Sequence, residues 1–265
     1  MQEESADCSA LQNVVDVFLD SKGILWVLDT GIVNTLDQPE NRCPSKVVAI
    51  DAKSGSVLKV IDVSYMMCPM SRIQYLVVDY TLDNRIFLYV SDAANRAILV
   101  FDVSADQGYR LILPQVVSMG SKNRDVLYMT LIRKHNNDNM LVFSYLGSLR
   151  IYGLRTVFAQ TGTGQGRIRE LGVKPEKLIF LGTDHVNNLF FRKEGRPDIF
   201  RWDMQTGPNL ENMKLVHKRA IGSNGLATQV VPDYKHSRMR VLESNFPDFF
   251  RGTVGSGVNQ SFYLI

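Results

Sequence analysis

Cysteine is scarce in this 265-residue chain, which has three. Cys8, Cys43 and Cys68 lack the paired C-x-x-C or neighbouring His spacing of a zinc site. On the residues alone two states stay open, one disulfide with a thiol left over or three buried reduced thiols. Long apolar runs are also missing. No stretch approaches the ~18–20 consecutive apolar residues of a membrane helix, so no membrane span is expected. The opening Met1-Gln2-Glu3-Glu4-Ser5 has neither the basic nor the apolar region of a secretory signal. Taken alone that opening fits a cytosolic protein, and equally a truncated or mis-called start. Charge of one sign is lacking too, with 30 Lys and Arg against 27 Asp and Glu for a net +3. The two signs are intermingled and no basic stripe follows a phosphate backbone, so nucleic acid is not an expected partner. The four histidines, His135, His185, His217 and His236, have no metal-ligand spacing. No metal and no cofactor is expected.

What the chain has is a repeat. With 45% apolar and 22% charged residues it is globular in composition. The recurring unit is an apolar strand, a turn with Asp, Asn or Gly, a second strand ending on a small or acidic residue, and a third strand. The first copy runs from Val14 to Val63, with turns at Asp20-Ser21-Lys22-Gly23 and Lys53-Ser54-Gly55. The second runs from Tyr75 to Leu113, the third from Tyr128 to Leu154, and the fourth from Lys177 to Met204. A fifth begins at Gly225 and ends in the strand-like SFYLI. Copies lie roughly 45–60 residues apart, close to the ~40–50 of propeller blades. Strands rich in Val, Ile, Leu, Tyr and Phe follow one another without convincing helices. A β-sandwich needs no such long period, so the expected fold is all-β, a single propeller domain over 1–265. Five blades in an open fan would leave two long sheet edges. A further closing part is therefore expected.

LQNVVDVFLDSKGILWVLDTG, Leu11 to Gly31, followed by Cys43-Pro44 and VVAIDAKSG, resembles the Yellow/major royal jelly protein family. LWVLDTG, Leu25 to Gly31, is the most specific piece, with Cys8 before it at family-like spacing. A second similarity lies in MRVLESNFPDFFRGTVGSGVNQSFYLI. The resemblance implies a six-bladed β-propeller, about one N-terminal blade short in this chain, from a secreted protein. It implies a Cys8–Cys43 disulfide and gives Cys68 no counterpart. It implies an extracellular role, in cuticle, eggshell or pigmentation, among extracellular matrix components. Salivary members of the family bind small aromatic amines, which by position implies contacts from Thr228, Asn245 and Phe246. An amine or catechol ligand suits that set, because amide and hydroxyl groups fix polar atoms while an aromatic face stacks on the ring. After Asn245 the chain departs from the family pattern with Phe246-Pro247-Asp248. The enzymatic alternative the resemblance offers is dopachrome tautomerisation.

No catalytic motif stands out beside this. Gly162-Thr163-Gly164-Gln165-Gly166 lacks the strand-to-helix setting of a phosphate loop and reads as a surface loop. Asp29, Asp92 and Glu243 end second strands in three copies. They would hold a calcium ion if they converged, but single turn-capping carboxylates are the simpler reading. Asp184-His185 is a possible acid/base pair, although neighbours in a strand face opposite ways, and a turn or surface role is preferred. Asn259-Gln260-Ser261 is a formal glycosylation sequon in a strand-like stretch.

Overall fold

Each repeat folds as a meander of short strands. The computed structural model describes residues 7–35, 37–133, 138–219, 225–233, 236, 238–245, 248, 253 and 260–265. The first sheet orders β1 (Val14–Leu19), β2 (Ile24–Asp29), β5 (Lys46–Asp51) and β6 (Val57–Asp62). A two-stranded excursion, β3 (Ile32–Val33) and β4 (Glu40–Asn41), interrupts it. The second sheet is β7 (Ile73–Tyr80), β8 (Ile86–Asp92), β9 (Ala97–Asp102) and β10 (Gln107–Ile112). The third is β11 (Leu127–Ile132), β12 (Met140–Tyr145), β13 (Arg150–Arg155) and β14 (Arg169–Val173), with the short helix α1 (Thr156–Gln160) before its last strand. The fourth is β15 (Leu178–Thr183), β16 (Asn188–Lys193), β17 (Ile199–Asp203) and β18 (Met213–His217). The fifth has three strands, β19 (Leu226–Asp233), β20 (Arg238–Ser244) and β21 (Gln260–Leu264).

The fold is an all-β propeller with five blades, not six, among the described residues. Five is the number of copies read from the sequence, and the sixth blade implied by the family resemblance is not among the described residues. Contacts divide the chain into two compact units. The first, Met1–Val116 with Lys122–Met129 and Phe158–Arg167, holds the first two sheets. The second, Val117–Ser121, Thr130–Val157 and Ile168–Ile265, holds the fourth and fifth sheets and most of the third.

Turn chemistry sets the strand lengths. Gly23 takes a φ of 79° in the β1–β2 turn. Asp20 caps that turn by accepting the backbone N–H of Lys22 and Ile24 on Oδ1 at 2.8 and 2.9 Å. Its Oδ2 accepts the Trp26 indole N–H at 2.9 Å and the Tyr80 hydroxyl. The hairpins between third and fourth strands use the same device. Asp51, Asp102 and Asp203 each accept the N–H two residues on, at 2.9, 2.9 and 3.0 Å.

The first strand is bulged in the first, second, fourth and fifth blades. Its register against the second strand shifts between Val14 and Asp16, Ile73 and Leu76, Phe180 and Gly182, and Ala227 and Gln229. A bulge bends and over-twists its strand, and within each unit the bulged strands of neighbouring blades meet, β1 with β7 and β15 with β19. At the first meeting Asp16 Oδ2 accepts the Leu76 N–H at 2.7 Å. At the second a Cβ on Gly182 would lie 2.0 Å from the Val230 carbonyl oxygen, so only glycine fits. Between the sheets lie the cores. Trp26, Leu28, Val47, Val78, Leu88 and Leu99 are buried together in the first unit. Leu181, Phe190, Ile199, Ala227, Val230 and Val241 form the corresponding cluster in the second.

Asp20 is the side chain whose loss should damage this framework most clearly. Asp20→Ala uncaps the first turn and leaves the buried Trp26 N–H without its acceptor. The expected loss is about 2–4 kcal/mol of unfolding free energy, measured by urea denaturation. A loss under half a kilocalorie would contradict the assigned role.

Candidate functional site

The residues singled out in the sequence fall into separate groups. Cys8 and Cys43 form a disulfide with Cα atoms 5.4 Å apart, and Cys68 is a free thiol. The disulfide binds residues 8–13 to the excursion before β5. Lys46 reinforces it by donating from Nζ to the Ala10 carbonyl at 2.7 Å beside Asp29 at 3.7 Å. Gly31, at a φ of 67°, passes so close to this joint that a Cβ would meet the Cys43 carbonyl oxygen at 2.0 Å.

The three strand-ending carboxylates are not alike. Asp29 is fully buried and accepts the N–H groups of Gln12, Asn13 and Gly31, all at 2.9 Å. Asp92, equally buried, accepts the Arg72 N–H at 2.9 Å, the Ser71 hydroxyl at 2.7 Å and the Asn95 amide at 2.8 Å. Both are capping groups whose oxygens are already satisfied. Glu243 is different: it pairs with the Arg219 guanidinium at 2.7 Å and accepts the Tyr263 hydroxyl at 2.8 Å. Burial first, and then the Glu243 hydrogen bond, push the Tyr263 phenol well above its ordinary pKa. His217 packs on the Tyr263 ring with centroids 4.6 Å apart. Among the described residues no three His, Cys, Asp or Glu side chains gather as a metal site.

Thr228 and Asn245 share one end of the β19–β20 pair, where Leu226 faces Ser244 and Ala227 faces Glu243. Thr228 is the bulge residue; it is exposed, and its hydroxyl donates to the Leu242 carbonyl at 3.2 Å. Asn245 is buried, and its carbonyl accepts the Asp248 N–H at 2.8 Å. Phe246 and Asn259, with His135, lie outside the described residues. The candidate site is therefore this end of blade five: a hydroxyl and an amide beside the Arg219–Glu243–Tyr263 group.

Asp184 and His185 form a turn. Asp184 Oδ1 accepts the N–H of Val186 and Asn188 at 2.9 and 3.0 Å, and His185 has a φ of 60°. In the glycine loop, Gly162 and Gly166 both have positive φ and open space where a Cβ would stand. Sequence reasoning missed Arg219 and Tyr263 beside Glu243. It also missed Lys174, fully buried, which donates to the Ser144 hydroxyl at 2.8 Å and the Tyr145 carbonyl at 3.0 Å. No local motif marks these residues, since their partners are 20 to 30 positions away.

The family model for major royal jelly protein matches residues 12–261. The chain belongs to that family. Major royal jelly protein 7 of Apis mellifera is 26% identical over 186 residues, 63% of this chain and 41% of that protein. Dopaminechrome tautomerase of Drosophila melanogaster is 28% identical over 107 residues, 40% of this chain and 23% of that enzyme. The matched segment thus spans less than half the length of either relative. Among solved structures, virginiamycin B lyase from Staphylococcus aureus has a TM-score of 0.52 at 12% identity, over 96% of this chain and 70% of its own. The periplasmic gluconolactonase of Pseudomonas aeruginosa has 0.50 at 12%, over 86% and 64%. At such identities these structures share the fold alone. No helix among the described residues is long and apolar enough to cross a membrane.

Two measurements check the geometry around the first blade. Replacing Cys8 and Cys43 together by Ser should cost about 3–4 kcal/mol, read by urea denaturation, because the bridge closes a loop of 35 residues. Asp16 supplies a pH test. Burial raises its carboxyl from 3.8 to about 7 against the pull of the Leu76 and Val17 N–H groups. Between those pH values the native chain holds a proton that the unfolded chain has released, so stability falls as pH rises through the window. From pH 4 to pH 8 the balance should move towards Asp16→Asn by about 3 kcal/mol. Parallel pH profiles would count against the assignment.

Proposed function

We propose that this major royal jelly family protein is a secreted, non-catalytic propeller that binds a small aromatic amine or catechol at the Thr228–Asn245 end of blade five. The observation that carries the reading is the family match over residues 12–261 together with the common position of Thr228 and Asn245. An amide and a hydroxyl would hold the amine, and the Phe246 position would supply the stacking face. Secretion is supported by the Cys8–Cys43 disulfide, since such bonds persist in oxidising compartments. The family resemblance supports two further elements: a sixth blade completing the propeller, and a role in cuticle, eggshell or pigmentation.

Similarity to dopaminechrome tautomerase favours one alternative, an isomerase of melanin chemistry. Both readings meet in one set of assays on the purified protein. Calorimetry with tryptamine and dopamine should give one site per chain, weakened tenfold or more by Asn245→Ala and less by Thr228→Ala. Dopachrome should decay at its uncatalysed rate. Heats unaffected by either substitution would remove the binding site, and turnover abolished by Asp184→Asn or His185→Ala would replace the reading with the enzymatic one.

A further inference from the structure

A cleft opens at the other end of the same blade. It lies between the fourth and fifth sheets, encloses about 440 Å³ and has an apolar floor of Phe190, Val216, Met239 and Ile265. Arg201 and Arg238 stand in its wall. A polar recess of about 250 Å³ shares Arg201 and Asn188 with it and adds Asp203, Asn212 and Lys214. The cleft volume alone is in the range of small-molecule sites, typically ~300–1,000 Å³. In register, Asp233 faces Arg238 and Pro232 faces Met239 at the turn end of β19–β20. Thr228 is five positions up the strand, about 16 Å away at ~3.3 Å per residue. The cleft is therefore separate from the amine site.

The charges of cleft and recess balance in number but are not paired with one another. The three carboxylates are bonded elsewhere, Asp203 by accepting the Asn187 amide and the Gln205 N–H on Oδ1, both at 3.0 Å. Asp184 accepts the Val186 and Asn188 backbone N–H groups on Oδ1 and the Asn188 amide on Oδ2 at 2.6 Å. Asp233 accepts from Arg240 Nε at 2.7 Å and contacts His236 Nδ1 at 2.9 Å. The His236 hydrogen bond first, and then Arg240, lower the Asp233 pKa to about 2, so it stays ionised and paired. The cations have no such partners: Arg201, Lys214 and Arg238 make no side-chain hydrogen bond or ion pair with any described residue. Arg201 and Lys214 are moreover directly opposed across β17 and β18, with Phe190 on the other side of Arg201. Like charges facing each other across a ladder destabilise a sheet, and a bound anion would relieve that repulsion.

From this combination we infer that the cleft binds a small organic anion, a carboxylate on an apolar body, with its head at Arg201 and its body over Phe190 and Met239. A guanidinium suits a carboxylate because its donors form a planar fork. A neutral apolar molecule would leave the cations unmatched, and an organic cation would find the carboxylates already accepting hydrogen bonds.

Titration calorimetry on the whole chain tests this with decanoate, 1-naphthoate and decylamine as probes. The two acids separate a fatty from an aromatic ligand. At least one acid should bind once per chain, and decylamine should not. Arg201→Gln should weaken binding tenfold or more and Arg238→Gln measurably, with neither thermal midpoint lowered. Arg238 is exposed, so its variant decides the matter if Arg201→Gln folds poorly. Thr228→Ala should leave acid binding intact, which keeps this result independent of the amine site. Absence of binding by both acids, equal binding of decylamine, or affinity untouched by the arginine substitutions would overturn the proposal.

Discussion

The buried carboxylate that accepts backbone N–H groups is the constraint on which the first unit depends. A carboxylate shut away from water is costly unless each oxygen is hydrogen-bonded. Asp29 meets that condition only when Gln12 and Asn13, just before β1, lie against the end of β2. Asp92 repeats the arrangement with Ser71 and Arg72 ahead of β7. Each of these two blades thereby fixes where its first strand enters relative to where its second strand stops. Asp20 adds a third point by tying the opposite end of β1–β2 to Tyr80 at the end of β7.

Seen this way, the LWVLDTG string is a set of physical requirements. Trp26 fills the core and donates to Asp20. Asp29 caps the entry to β1, and the Thr30 carbonyl accepts the Ser45 hydroxyl at 2.6 Å. Gly31 lets the chain pass against Cys43, which closes the disulfide with Cys8. The family match and the chemistry of these residues describe one joint.

Blade five is built on different terms. Its end carboxylate, Glu243, is balanced by a cation and a phenol instead of by backbone. The hairpin β19–β20 then presents two chemically distinct ends. One has a hydroxyl, an amide and a neutralised ion pair; the other has Arg201 and Arg238 around an apolar floor. A propeller suits this division, because strands hold the core and strand ends are left to vary.

Much of this was legible in the residues. The five repeats and the Asp20–Gly23 and Lys53–Gly55 turns are local, set by φ at glycine and by carboxylates a few positions from their donors; Asp29 and Asp92 read as capping groups, but donors 16 to 21 positions away came only with the fold. The long-period repeat of strands rich in Val, Ile, Leu, Tyr and Phe was enough for the fold class, because each copy is one meander that must stack on its neighbours to bury its faces. The disulfide was not decided by spacing; it became visible only through family resemblance and then through the 5.4 Å approach of Cys8 to Cys43. The Arg219–Glu243–Tyr263 group, buried Lys174 and the Arg201 cleft had no sequence signature. Their members come from separate strands, and only the packing of one sheet against another decides which charges end up with partners and which without.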